Sequence, residues 1–108
     1  MKIIKHYING EDYEGGERTS DVYNPATGEV ISRVKLGNAN VVQQAVDISL
    51  KALEGWKNTT PAKRASIMFN YKKLLEDNSN VIAELVSLEH GKTIEDAKGS
   101  LQRGLEVV

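Results

Sequence analysis

The sequence predicts short β-hairpins over residues 1–36 followed by three to four α-helices over residues 38–108, and three observations carry that fold class. Turn dipeptides and β-branched residues crowd the first third of the chain. Apolar residues recur at steps of three and four through the remainder, the period of a helix with one buried stripe. Strands come first and helices afterwards, so hairpins capping a helical layer are predicted rather than alternating βαβ units.

In chain order, His6 falls in an N-terminal arm expected to be mobile. Tyr7-Ile8-Asn9-Gly10 starts a first strand, and Asn9-Gly10 is the dipeptide of a two-residue hairpin loop. The stretch from Gly15 to Ser20 is polar and glycine-rich, as a surface loop is. A short extended piece, Asp21 to Tyr23, precedes Asn24-Pro25-Ala26-Thr27-Gly28, which reads as a turn. Glu29 to Val34 then returns as a strand. These hairpins are too few for an independent sheet and are expected to lie along other structure.

Helical periodicity begins after Gly37. Asn38 or Asn40 is the expected cap, and Val42, Ala45, Val46, Ser49, Leu50 and Leu53 form an inward stripe with Trp56 at its end, broken by Gly55. Thr60-Pro61 opens a second helix, a hydroxyl cap followed by proline at the first helical position. In it Ala62, Ala65, Met68, Phe69, Leu74 and Leu75 are predicted buried, with Lys63, Arg64, Lys72 and Lys73 facing out. After a break at Asn78-Ser79-Asn80, a third stripe of Val81, Ile82, Leu85, Val86 and Leu88 runs to a glycine stop at Gly91.

The last helix is the most informative. Thr93 and Asp96 read as a capping box, and Ile94, Ala97, Leu101, Leu105 and Val108 form its apolar stripe. Gly99 and Gly104 interrupt it, each at about 1 kcal/mol relative to alanine. That cost predicts close approach of another backbone or a bound group. Arg103, off the stripe, suits either a ligand carboxylate or phosphate, held bidentately, or Glu106 at i+3. The helix runs into Val108 without a stop signal, which raises the expectation of a longer polypeptide.

Composition bounds the rest. With 108 residues, 40% hydrophobic and 27% charged, the chain is an ordinary globular sequence of at most one domain. A net charge of −1, from 14 basic and 15 acidic residues, gives no general attraction to nucleic acid or anionic membrane. Lys51, Lys57, Lys63, Arg64, Lys72 and Lys73 are read as solvated helix faces. No apolar run suits a membrane span or a signal peptide, so a cytoplasmic protein is expected, or a mitochondrial matrix one if a presequence was removed before residue 1. There is no cysteine, hence no thiolate nucleophile or disulfide in these residues. His6 and His90 lack further ligands at metal spacing and are read as structural or solvated. Catalytic, cofactor-binding and metal-ligating residues are therefore not expected in this stretch, and Arg103 is the one candidate site residue.

Tyr7-Ile8-Asn9-Gly10, Asn24-Pro25-Ala26-Thr27-Gly28-Glu29-Val30, Ala45 to Trp56, Arg64, and Glu89-His90-Gly91-Lys92-Thr93 resemble, in order and spacing, the N-terminal part of the aldehyde dehydrogenase superfamily. Asp96-Ala97-Lys98-Gly99 and Gln102-Arg103-Gly104-Leu105-Glu106-Val107-Val108 look like its CoA-acylating branch, which oxidises malonate or methylmalonate semialdehyde. The resemblance implies an α/β parent in which residues 1–108 form the N-terminal part of the NAD-binding domain. It also implies NAD and coenzyme A as cofactors, the remainder of the polypeptide as partner, and a homotetramer. In that branch a cysteine thiolate attacks the aldehyde, hydride passes to NAD, and the acyl group is handed to CoA with loss of carbon dioxide. The matching arginine there partners the substrate carboxylate, which moves the reading of Arg103 from Glu106 to substrate binding. The alternatives from other classes are a truncated, non-catalytic scaffold or interaction module, and a small independent helical domain.

Overall fold

The computed structural model describes all residues, Met1 to Val108, and contains five strands and four helices. The strands are β1 (Lys2–Ile4), β2 (His6–Ile8), β3 (Glu11–Tyr13), β4 (Thr19–Tyr23) and β5 (Val30–Lys35). The helices are α1 (Ala39–Trp56), α2 (Pro61–Asp77), α3 (Ser79–His90) and α4 (Ile94–Val107). The chain divides into two compact units, residues 1–23 with 29–58, and residues 24–28 with 59–108. The change from strand to helix at 36–38 is therefore not a unit boundary, because α1 belongs with the strands.

In the first unit β2 and β3 form the expected hairpin. Asn9 and Gly10 both take positive φ, 59° and 79°, which gives the two-residue loop whose twist matches the flanking strands. The N-terminal arm is not free: β1 pairs in parallel with β5, Ile3 opposite Arg33, and β4 pairs antiparallel with β5 on its other side. Two or three residues around Ile3 carry no turn signal, and a parallel partner some thirty positions on leaves none in the local sequence. Thr19 and Ser20, expected in a loop, open β4 instead. Arg33 Nε donates to Asp21 Oδ1 at 2.9 Å directly across the β4–β5 pair, a cross-strand ion pair at an exposed edge.

Lys5 and Glu14 close the β2–β3 hairpin at its open end, with Nζ 2.8 Å from Oε1. That hydrogen bond, and then the ammonium charge, hold the Glu14 carboxyl below its ordinary value of 4.5, while the same contact raises Lys5. A depressed carboxylate stabilises the hairpin above its unfolded pKa and loses that contribution as pH falls through the lower folded value. Titration of the Glu14 carboxyl by carbon NMR is expected to give a midpoint under 4.5, returning toward it in Lys5→Met. An unchanged midpoint in that variant would remove the ion pair from the account.

The Asn38 side chain caps α1 by accepting from Val41 N–H at 2.9 Å. Its apolar stripe is formed as predicted but is not buried: Val42, Val46, Leu50, Leu53 and Trp56 are 42–60% exposed, and only Val41 is enclosed. Gly55 does not end the helix, which runs one residue further, and Asn58 Nδ2 then donates to Glu54 O at 3.0 Å. The side-chain amide satisfies a carbonyl that the helix end leaves without an intrahelical donor.

In the second unit Thr60 Oγ1 accepts from Lys63 N–H at 3.3 Å and Pro61 begins α2, as expected. No residue of α2 is buried; Met68, Phe69 and Leu74 are exposed, as are Ala62 and Ala65, whereas Arg64, expected to face out, is half-buried. Helical spacing identified the stripe but not whether these residues contain its cover. Asn78 serves two helices. Its Nδ2 donates to Leu74 O at 2.8 Å to close α2, and its carbonyl accepts from Ile82 N–H at 3.1 Å to open α3. The tightest packing lies between α3 and α4, where Ala83 and Ala97 are fully buried and Leu105 nearly so. Two alanines at the contact allow the helix backbones close approach.

Candidate functional site

Arg103 is placed by the turn that joins α3 to α4. Gly91 ends α3 with φ 82°, a left-handed conformation that a side chain disfavours, and a Cβ there would lie 3.0 Å from Pro25 Cγ. Ser87 Oγ donates to Lys92 O at 2.6 Å, and Thr93 Oγ1 accepts from Asp96 N–H at 3.2 Å, the hydroxyl half of the predicted capping box. The junction is therefore fixed on both sides of Lys92. From Thr93 the helix packs its apolar stripe within the second unit, with Ala97 and Leu105 buried and Leu101 half-buried, which turns Arg103 to the exposed side.

The composition-based alternative, pairing with Glu106, is not formed. Arg103 Nη2 instead donates to Ser100 Oγ at 3.2 Å, one turn back along α4. The Lys92 ammonium reaches the same oxygen at 2.9 Å. Two cationic heads thus meet on one neutral hydroxyl, and neither enters any of the ion pairs of this chain. Such a cluster can hold an anion, for which a guanidinium supplies two parallel N–H donors and an ammonium a compact charge.

Lys92 and Ser100 were not singled out from sequence. Ser100 stands at i−3 from Arg103 on the same helix face, which is the signal that would have found it. Lys92 lies outside the helix, eleven positions away, and only the αL turn at Gly91 brings it back.

The expectation of close approach at the helical glycines is met by nothing within these residues. A methyl at Gly104 would meet open space, and one at Gly99 only Arg103 Nη1 at 3.9 Å. Gly99 therefore leaves a bare surface beside the guanidinium. With no steric penalty at Gly104, Gly104→Ala is expected to raise the denaturation free energy of this segment by up to about 1 kcal/mol. A loss of stability in the complete polypeptide would show that something else closes on that position.

His6 is structural: its Nε2–H donates to Gly15 O at 3.0 Å, tying β2 to the loop after β3. His90 is exposed in the last turn of α3. No cluster of metal-ligating side chains is present, and no helix is long and apolar enough to cross a membrane. A cleft of about 680 Å³ lies along the apolar stripe of α1, away from Arg103. Its polar neighbours are engaged, Lys35 Nζ with Gly16 O, Ser49 Oγ with Ala45 O and His6 with Gly15 O, so it offers no set of converging polar groups to orient a ligand.

The chain belongs to the aldehyde dehydrogenase family, whose family model matches residues 13–108. Among its relatives within that family, the malonate-semialdehyde dehydrogenase of Pseudomonas aeruginosa is 47% identical over 108 residues, covering 100% of this chain and 22% of the relative. A methylmalonate-semialdehyde dehydrogenase structure from Oceanimonas doudoroffii superposes with a TM-score of 0.94 at 43% identity, over 98% of this chain and 22% of that one. A structure assigned to the same activity from Sinorhizobium meliloti, solved with NAD, gives 0.96 at 44% identity, over 99% and 22%. The chain thus spans about a fifth of the length of the relatives it matches.

Proposed function

We propose that these residues serve in an NAD-dependent, CoA-acylating dehydrogenase of malonate or methylmalonate semialdehyde, as the N-terminal part of its NAD-binding domain, and that Arg103 receives the substrate's carboxylate. The observation that carries the site is the guanidinium itself. It sits exposed on α4 with a neutral hydroxyl as partner and a second cation alongside, so an acid group arriving with an aldehyde finds charge that is not already neutralised. The likeness to semialdehyde dehydrogenases supports the choice of substrate, and the NAD bound to the Sinorhizobium relative supports that cofactor.

NAD and coenzyme A find no fitting set of residues here. The paired glycines Gly15-Gly16 lead into strand β4 rather than a helix, and the N-terminus of α1 is taken by the Asn38 cap, so the strand, glycine turn and helix of a dinucleotide site are not assembled. On this reading their contacts lie mostly in the rest of the polypeptide. The same remainder is the proposed partner for the uncovered stripe of α1 and for Phe69 and Leu74 of α2, 71% and 61% exposed. A homotetramer in the cytoplasm or the mitochondrial matrix completes the proposal.

The test is an assay of the complete polypeptide against residues 1–108 alone. With malonate semialdehyde, NAD and CoA, the complete enzyme is expected to give NADH and a thioester in equal amounts with release of carbon dioxide. The isolated segment is expected to give none. NADH formation without thioester would remove the CoA-acylating assignment.

A further inference from the structure

We propose that Lys92 and Ser100 complete the acid-recognition site with Arg103, Lys92 as its second positive charge and Ser100 as both the bridge between the cations and a third hydrogen-bond donor. This rests on the reading of Arg103 as the carboxylate's partner and extends it to two residues outside that reading.

The argument begins with the hydroxyl. A serine oxygen has two lone pairs and one proton. At Ser100 both lone pairs are used, by Lys92 Nζ at 2.9 Å and Arg103 Nη2 at 3.2 Å. The proton must then point elsewhere. In a helix its ordinary destination is the carbonyl four residues back, as Ser49 shows with Ala45 O at 2.7 Å. Ser100 makes no such bond, so its O–H is available to an incoming acceptor, and two cations on its oxygen make it a stronger donor.

Charge points the same way. Both cationic heads lie within hydrogen-bond reach of one atom, and like charges this close repel unless an anion lies between or beside them. Lys5, Arg33, Lys57, Lys72 and Lys73 each have a carboxylate partner, and neither member of this pair has one. Position is controlled as well. The Ser87 bond to Lys92 O and the αL turn at Gly91 fix the backbone that presents Lys92, and the bond from Arg103 Nη2 to Ser100 Oγ turns the guanidinium back along α4. The ligand these groups fit is a small carboxylate, with Arg103 taking two oxygens and Ser100 O–H and Lys92 strengthening one of them.

The experiment uses the complete dehydrogenase, comparing malonate semialdehyde with propanal, which lacks the acid group. Ser100→Ala and Lys92→Met are each expected to raise KM for malonate semialdehyde about tenfold, with kcat within about twofold and propanal kinetics unchanged. Ser100→Thr, which keeps the hydroxyl, is expected to stay near the parent. Equal losses on both aldehydes, or no rescue by threonine, would reduce Ser100 to a structural residue and overturn the proposal. So would unchanged kinetics in Ser100→Ala and Lys92→Met while Arg103→Leu loses its acid preference. If Arg103→Leu itself leaves that preference intact, the underlying reading fails first, and the two failures are told apart.

Discussion

Arg103→Leu in the complete enzyme is expected to lower kcat/KM for malonate semialdehyde about 100-fold, while propanal changes by no more than about threefold. The difference follows from what the guanidinium is asked to do. A bidentate, charge-assisted contact with a carboxylate contributes roughly 3 kcal/mol, about two factors of ten. An aldehyde without an acid group never makes that contact, and leucine keeps most of the arginine stem's bulk on α4. Because Arg103 is exposed and bonded in this chain only to Ser100, its loss leaves no buried group stranded and the fold intact. Lysine at this position is expected to recover part of the preference, since it restores charge but not the fork. Equal losses for both aldehydes would remove substrate selection from Arg103.

Gly16→Ala is the substitution expected to damage the fold most. Gly16 holds φ 74°, where an L-residue is strained by about 1–2 kcal/mol. A Cβ there would also fall well inside the van der Waals contact distance of the Leu36 carbonyl oxygen, and that carbonyl follows the end of β5, where Leu36 N–H donates to Arg18 O at 3.0 Å. Backbone held by a sheet cannot move aside cheaply. The combined cost is about 3 kcal/mol or more, against about 1–2 kcal/mol for Gly10→Ala, whose φ is also positive but whose Cβ would meet nothing within 4 Å. Chemical denaturation of the polypeptide carrying each substitution separates the two. Equal destabilisation would mean that the Leu36 carbonyl yields, and that only backbone strain matters at Gly16.

Local chemistry was the part of the fold legible in the sequence. Asn9-Gly10, Thr60-Pro61, Gly91 and Thr93 each act within four residues of themselves, and each does in the structure what its type predicts. Long-range pairing was not legible: nothing near Ile3 announces a parallel partner at Arg33. Burial was misread for a different reason. Periodicity shows which face of a helix is apolar, and the stripe of α1 is indeed contiguous from Val42 to Leu53, but period alone says nothing about what covers it. The alanines that do make the α3–α4 contact, Ala83 and Ala97, were the less conspicuous residues because small side chains bury backbone rather than bulk.

The candidate site was legible to a similar depth. Arg103 stood out because it lies off the stripe and between two glycines. Its neighbours did not, because Ser100 is an unremarkable helix-surface type and Lys92 is reached only through a left-handed turn. Neither glycine was explained by crowding within these residues, since a methyl at Gly99 would make only an ordinary contact with the Arg103 guanidinium and one at Gly104 would meet nothing.

The most direct measurement is a crystal structure of the complete enzyme with an unreactive carboxylated substrate analogue. The account predicts both carboxylate oxygens within about 3 Å of the Arg103 guanidinium nitrogens. A carboxylate bound by other residues, with Arg103 still turned only to Ser100, would contradict it.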